Sequence, residues 1–238
     1  LFPPSTVNWW PSPMVVFTVI PFYLYFSNSL GPQLMKDVKP FKLKRIIFYY
    51  NIFQIFISGY IFCEVSSCRY LILPDVYTIF GLHMLDTVFF ILRKKDRQIS
   101  FLHLFHHSMM PVASYVGLKY FPNGHATLLG LINCFVHVVM YTYYLISGLG
   151  PKYQKYLWWK KHLTTMQLVQ FGIIFLHNLS AIYHDCGYPK WVSTTLSIHS
   201  LQFIYMFGKF YYVSYIKEPK QSSTNGSVKS KTGKNKVN

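Results

Sequence analysis

The sequence predicts an all-α, polytopic membrane protein with seven spanning helices, and three observations predict it. Charged residues make up only 13% of the 238, against 52% hydrophobic and 19% aromatic. A soluble domain carries roughly 25% charged residues. Seven apolar runs fall at 14–31, 46–63, 76–92, 101–118, 126–147, 164–182 and 192–215. A span needs about 20 apolar residues, with about 17 as a floor, and it must be helical because lipid offers the backbone no hydrogen-bond partner. The loops between the runs alternate between basic and non-basic without exception.

That alternation gives the orientation. Loop 32–45 holds Lys36, Lys39, Lys42, Lys44 and Arg45 against Asp37. Segment 93–100 holds Arg93, Lys94, Lys95 and Arg97, and loop 148–163 holds Lys152, Lys155, Lys160 and Lys161. The intervening loops carry Arg69, Lys119 or Lys190 alone. Positively charged loops stay in the cytosol, so the N-terminus is expected in the lumen and the C-terminus in the cytosol. A missed or invented helix would break the pattern. The third run is the shortest and holds Gly81, His83 and Asp86. Residues 1–216 form one membrane domain; 217–238 read as a disordered basic tail. Lys234 and Lys236 in that tail resemble a dilysine retrieval signal of the endoplasmic reticulum. The chain opens Leu1-Phe2-Pro3-Pro4, without Met, which reads as a fragment or processed start and not as a signal peptide.

The net charge of +16 does not indicate nucleic acid. The basic residues sit in short blocks beside apolar runs, where they orient the chain and meet lipid headgroups or other phosphates. The four cysteines show no metal-ligand spacing. Cys68 and Cys186 both fall in predicted lumenal loops, where an oxidising compartment permits a disulfide; two free thiols are the alternative.

Ionisable groups inside a span cost roughly 2.5–3.5 kcal/mol each on insertion scales, so they are candidates for function. Here they gather at one depth, in the cytosolic half. His103, His106 and His107 have i, i+3, i+4 spacing, which places them on one helix face. Asn133, His137, Met140, Tyr141 and Tyr144 follow one stripe of the fifth span. Thr164, Gln167 and Gln170 occupy the first turns of the sixth, Asp86 lies in the third, and the seventh adds His199, Gln202 and Lys209.

The ordered set Leu85-Asp86-Thr87, Arg93-Lys94-Lys95, His103-Leu-Phe-His106-His107, Asn133-Cys-Phe-Val-His137 through Tyr144, and Thr164 through Phe171 resembles the ELO family of very-long-chain fatty-acid elongases. The likeness runs from about Pro11 to Tyr215. It implies an acyltransferase of the endoplasmic-reticulum membrane, a 3-oxoacyl-CoA synthase. Such an enzyme condenses long-chain acyl-CoA with malonyl-CoA and releases carbon dioxide and CoA. It also implies six of the seven helices in a barrel around a narrow acyl tunnel. No cofactor beyond the two substrates is implied. Association with membrane lipids and with the other enzymes of the elongation cycle is expected, and a homo-oligomer is compatible with it. The chain departs from the family where the motif Lys-x-x-Glu-x-x-Asp-Thr reads Phe80, His83 and Asp86-Thr87. The stretch before Asp86 is also shorter than the family's. A catalytically impaired or non-catalytic relative is therefore the alternative reading.

Imidazole accepts acyl groups near neutral pH. His106, in the middle of the histidine box, is the first candidate for a nucleophile that forms an acyl-imidazole. His137 is the second, or the general base, with His103, His107 and Asp86 completing the catalytic set. Asn133, Gln167 and Gln170 suit an oxyanion hole, and Tyr141 and Tyr144 suit substrate positioning. Arg93, Lys94, Lys95, Lys160, Lys161 and Lys209 are candidates for the phosphates of CoA. Cys134 is a weaker candidate nucleophile: soluble condensing enzymes use cysteine, but no cation stands near it in sequence. A di-iron desaturase or hydroxylase would also use HxxHH. It needs several such boxes with carboxylates, whereas this chain has one box and Asp86 alone beside it, so no metal is expected.

Overall fold

The computed structural model describes residues 13–67, 83–121, 126–184 and 187–217. All regular structure among them is helical. The elements are α1 (Pro13–Tyr25), α2 (Gly31–Leu34), α3 (Lys44–Ser66), α4 (Leu85–Leu92), α5 (Phe101–Tyr120), α6 (Ala126–Leu149), α7 (Lys160–His184) and α8 (Lys190–Tyr211). A π-helical turn, Phe26–Leu30, joins α1 to α2, and a second, Tyr212–Lys217, extends α8. Six of the expected runs therefore reappear as helices, the first continuing through its π turn to Leu34, and the third is described only over its last part, as Leu85–Leu92.

Among the described residues, three helices are long and apolar enough to cross a membrane: Lys44–Ser66, Thr127–Leu149 and Lys160–His184. The others fall short of that measure for visible reasons. The first is interrupted by the π turn. α5 carries three histidines and Lys119, and α8 carries His199, Gln202 and Lys209. At 1.5 Å per residue the 20 residues of α5 still reach about 30 Å, one hydrocarbon thickness. α4 is only 8 residues long from Leu85, about 12 Å. The rest of the third run, 76–82, lies outside the described residues, so a seven-helix count and a closed six-helix barrel remain expectations. Phe80, Cys68, Cys186 and the tail 218–238 lie outside them too, and with them the expected disulfide.

Two tight pairs organise the molecule, α3 with α6 and α7 with α8. Each is built on a stripe of small or hydrogen-bonding side chains. α3 buries Tyr50, Asn51, Gln54, Ser58 and Ile61. α8 turns Ser193, Ser197 and Ser200 inward, and α7 buries Asn178. Without a hydrophobic driving force between helices in lipid, such small residues allow close backbone approach. Ser197 and Ser200 return their hydroxyls to carbonyls one turn back, at 2.8 Å each. Large apolar side chains point outward instead, with Phe17 72%, Phe56 73% and Leu176 64% exposed. That inversion suits a lipid surround. Between α5, α7 and α8, Phe171, Ile174 and Phe203 form an apolar core against Phe105 and Met110.

At Gly31 the fold has no room for a side chain. A Cβ there would lie 2.9 Å from the Phe26 carbonyl oxygen and 3.1 Å from two atoms of Ile91. The oxygen belongs to the π turn and cannot swing aside. Gly31→Ala is expected to push α2 off α4 and destabilise the protein by about 1–3 kcal/mol, read as a lower Tm in detergent. Gly130→Ala, with nothing within 4 Å, should leave the Tm unchanged or raised.

Candidate active site

The local sequence starts α5 where the histidine box needs it. Ser100 has an extended backbone, and its hydroxyl accepts a hydrogen bond from the His103 amide at 3.2 Å, a side-chain N-cap. The helix therefore begins at Phe101, and His103, His106 and His107 fall in its first two turns. Pro111, one turn further on, has no N–H to give the His107 carbonyl.

His83, His106, His107, Met110, Pro111, Asn133 and His137 line one cavity of about 10 Å³, room for about one water. It would have to widen to take an acyl chain. Four histidines from three segments thus face a single point. His137 Nδ1 lies 3.2 Å from His83 Nε2. The His103 and His107 rings stand 4.1 Å apart, and His106 meets His107 at 5.4 Å and Phe203 at 5.5 Å.

Two hydrogen-bonded arms hold the cluster. In the first, the Tyr23 hydroxyl, Thr87 Oγ1 and His103 Nε2 form a chain with 2.7 Å at each link. In the second, fully buried Tyr141 donates to Asp86 Oδ2 at 2.7 Å. The Tyr141 ring lies parallel to His83, 6° between planes and 5.9 Å between centres. Tyr50 packs edge-on against Tyr141 and accepts from the Gln54 amide at 2.8 Å. Thr87→Val is expected to cut the first arm at both links and cost about 1 kcal/mol, the scale of hydrogen bonds inside membranes, as a lowered Tm without loss of helix content.

Of the residues expected from sequence, the structure brings together His103, His106, His107, Asn133, His137, Asp86 and Tyr141. Tyr144 touches Tyr141 ring to ring at 6.0 Å but is 41% exposed and off the cavity wall. Gln167 and Gln170 do not line the cavity: the Gln167 amide meets Met140 Sδ at 4.0 Å, and Gln170 is buried elsewhere in α7. Arg93, Lys94, Lys95, Lys160, Lys161 and Lys209 also stand away from the cavity, at or near the ends of their helices. Lys94 donates to the Lys36 carbonyl at 3.0 Å, and Lys161 lies over the Tyr211 ring at 5.5 Å. Among the described residues, no group of three or more His, Cys, Asp or Glu has metal-binding geometry.

Sequence reasoning missed three members of the site. Tyr23 sits in a run with no polar stripe to mark it. Thr87 was visible only as a motif letter. His83 had been read as a lost glutamate, although its place three residues before Asp86 on one helix face was a usable signal.

The fold and site define an all-helical membrane protein with a buried histidine cluster built across several helices. The sequence matches the ELO: GNS1/SUR4 family over residues 8–80 and 76–223, and the chain belongs to that family. It is 38% identical to a very long chain fatty acid elongase of Aedes aegypti over 89% of this chain and 66% of that protein. It is 37% identical to very long chain fatty acid elongase 4 of Mus musculus, over 96% and 81%, and 38% identical to very long chain fatty acid elongase 7 of Rattus norvegicus, over 96% and 92%. The family matches in two pieces that meet at 76–80, in the third predicted span. The mouse alignment runs over 255 positions while using 96% of a 238-residue chain, so the relative has residues for which this chain has none.

Proposed function

We propose that this chain catalyses the condensing step of fatty-acid elongation, joining a long-chain acyl-CoA to malonyl-CoA. The observation that carries the reading is the convergence of His106, His107, His137 and Asn133 on one cavity, in a chain of this family. An imidazole nitrogen of His106 attacks the thioester carbonyl. The C–S bond breaks, His137 as general base takes the imidazole proton and passes it to the departing CoA thiolate, and an acyl-imidazole remains. Loss of carbon dioxide from malonyl-CoA leaves its electron pair as an enolate. The enolate carbon attacks the acyl carbonyl, the C–N bond breaks, and 3-oxoacyl-CoA forms while the departing imidazolate takes a proton from water through His137, which restores His106.

His106 suits the nucleophile's part. His103 is engaged by Thr87 and His137 by His83, whereas His106 makes ring contacts to His107 and Phe203. Asn133, on the cavity wall, is the amide best placed to stabilise the oxyanion; Gln167 and Gln170 would need a rearrangement of α7. The basic end of the bundle would face the cytosol, on the outer side of the endoplasmic-reticulum membrane, with its lysines and arginines meeting CoA phosphates or lipid headgroups.

A second reading is a non-catalytic relative. The loss of the family's Lys and Glu at Phe80 and His83, and the break in the family match at the same place, favour it. Microsomes carrying the chain, supplied with acyl-CoA and labelled malonyl-CoA, separate the two. Labelled 3-oxoacyl-CoA supports the condensing enzyme. Intact folding and acyl-CoA binding without that product support the non-catalytic relative.

A further inference from the structure

The residue that breaks the family motif is the one His137 rests on. His83 is 8% exposed, as is His137, and its Nε2 lies 3.2 Å from His137 Nδ1. The two rings meet edge to face, 4.6 Å apart at 85°. That geometry lets a single proton lie between the two nitrogens, carried by one ring and accepted by the other. His83 is itself held in place: its other side is stacked parallel on Tyr141, and Tyr141 is anchored to Asp86. His83 and Asp86 are one helical turn apart, so one short segment contributes both the partner of His137 and the anchor of the ring that supports that partner.

We propose that His83 is a positioning residue for His137: His83 Nε2 accepts from His137 Nδ1–H, which leaves His137 Nε2 without a proton and turned toward the cavity shared with His106. Which imidazole nitrogen is free for proton transfer is set by the bond the other one makes. With Nδ1 engaged by His83, Nε2 is the nitrogen that remains. The cavity wall supports this direction, because His83 and His137 line it together with His106 and His107. A glutamate at position 83 would accept from His137 Nδ1–H and enforce the same tautomer, so the histidine substitutes for the expected acid without adding a charge inside the membrane. The site would then be altered at this position and still organised. The titratable groups beside the pair are His106 and His107 on the cavity wall and Tyr141 against both rings, with Asp86, Tyr50 and Tyr144 behind Tyr141 and His103 behind His107. A change in the pair is therefore read against that whole set.

The inference rests on His137 acting as a base in the proposed condensation, but its test does not rest on turnover alone. Full-length protein with ¹⁵N-histidine in nanodiscs is compared as wild type, His83→Gln and His83→Ala. In the wild type His137 should show one tautomer with Nδ1 hydrogen-bonded. His83→Ala should show mixed tautomers, and His83→Gln, whose amide oxygen can accept from Nδ1–H, should restore the single one. In condensation assays His83→Ala should lower kcat about 10- to 100-fold, the cost of a misplaced catalytic group, shift the pH profile, and leave the KM for acyl-CoA within about twofold. His83→Gln should recover most of the kcat. An unchanged His137 spectrum in His83→Ala, or equal kcat losses and coincident pH profiles in both variants, overturns the proposal. A wild type that yields no 3-oxo product overturns the condensing function instead, and the spectra still decide the role of His83.

Discussion

His106→Ala is expected to abolish acyl capture. Intact mass spectrometry of the wild type after incubation with acyl-CoA alone should show one added acyl mass, and the variant none. Its condensation rate should fall by more than about 100-fold, because a positioned catalytic side chain contributes at least that much. Ring contacts explain why this histidine should dominate. Its neighbour His103 is engaged by Thr87, and Phe203, on which His106 packs, belongs to the apolar core of α5, α7 and α8. That wall keeps water away from an acyl-imidazole that would otherwise hydrolyse. Equal acyl mass in wild type and variant would move the nucleophile to another residue, with His137 next to be tested. Product without any acyl mass in the wild type would mean direct attack of the enolate on the thioester.

Much of this site could be read from the chain because its parts are local. The i, i+3, i+4 spacing of His103, His106 and His107 needs only a helix, and Ser100 supplies its start. Asn133, His137 and Tyr141 needed only the same argument on α6. Shared level was legible as well: the histidine box at the start of α5 and His137 in α6 meet at one cavity. Partners across helices were not legible. Nothing in the sequence joins Tyr23 to Thr87, 64 residues away, or His83 to His137, 54 residues away. Gln167 and Gln170 show the reverse failure. Their depth agreed with the cluster, but rotation of α7 about its own axis, set by packing against α8, carries them away from the cavity.

The second large effect is expected at Tyr141, which makes no catalytic contact in the proposed reaction. Tyr141→Phe keeps the ring, its stacking on His83 and the packing of Tyr50, and it removes only the hydroxyl. Asp86 then loses its 2.7 Å donor where water is scarce. A buried polar group left short of a partner costs about 1–3 kcal/mol, so a Tm drop of several degrees is expected, together with a lower kcat through His83. Asp86→Asn alone should do less harm, because an amide oxygen still accepts from Tyr141 and carries no charge to strand. The pair then makes a cycle. If Asp86 matters mainly as the anchor of Tyr141, Tyr141→Phe combined with Asp86→Asn should be milder than the two single losses added together, because no carboxylate is left without its donor. Strict additivity in Tm and kcat would mean that Tyr141 and Asp86 act separately. The arm supporting His83 would then be packing alone.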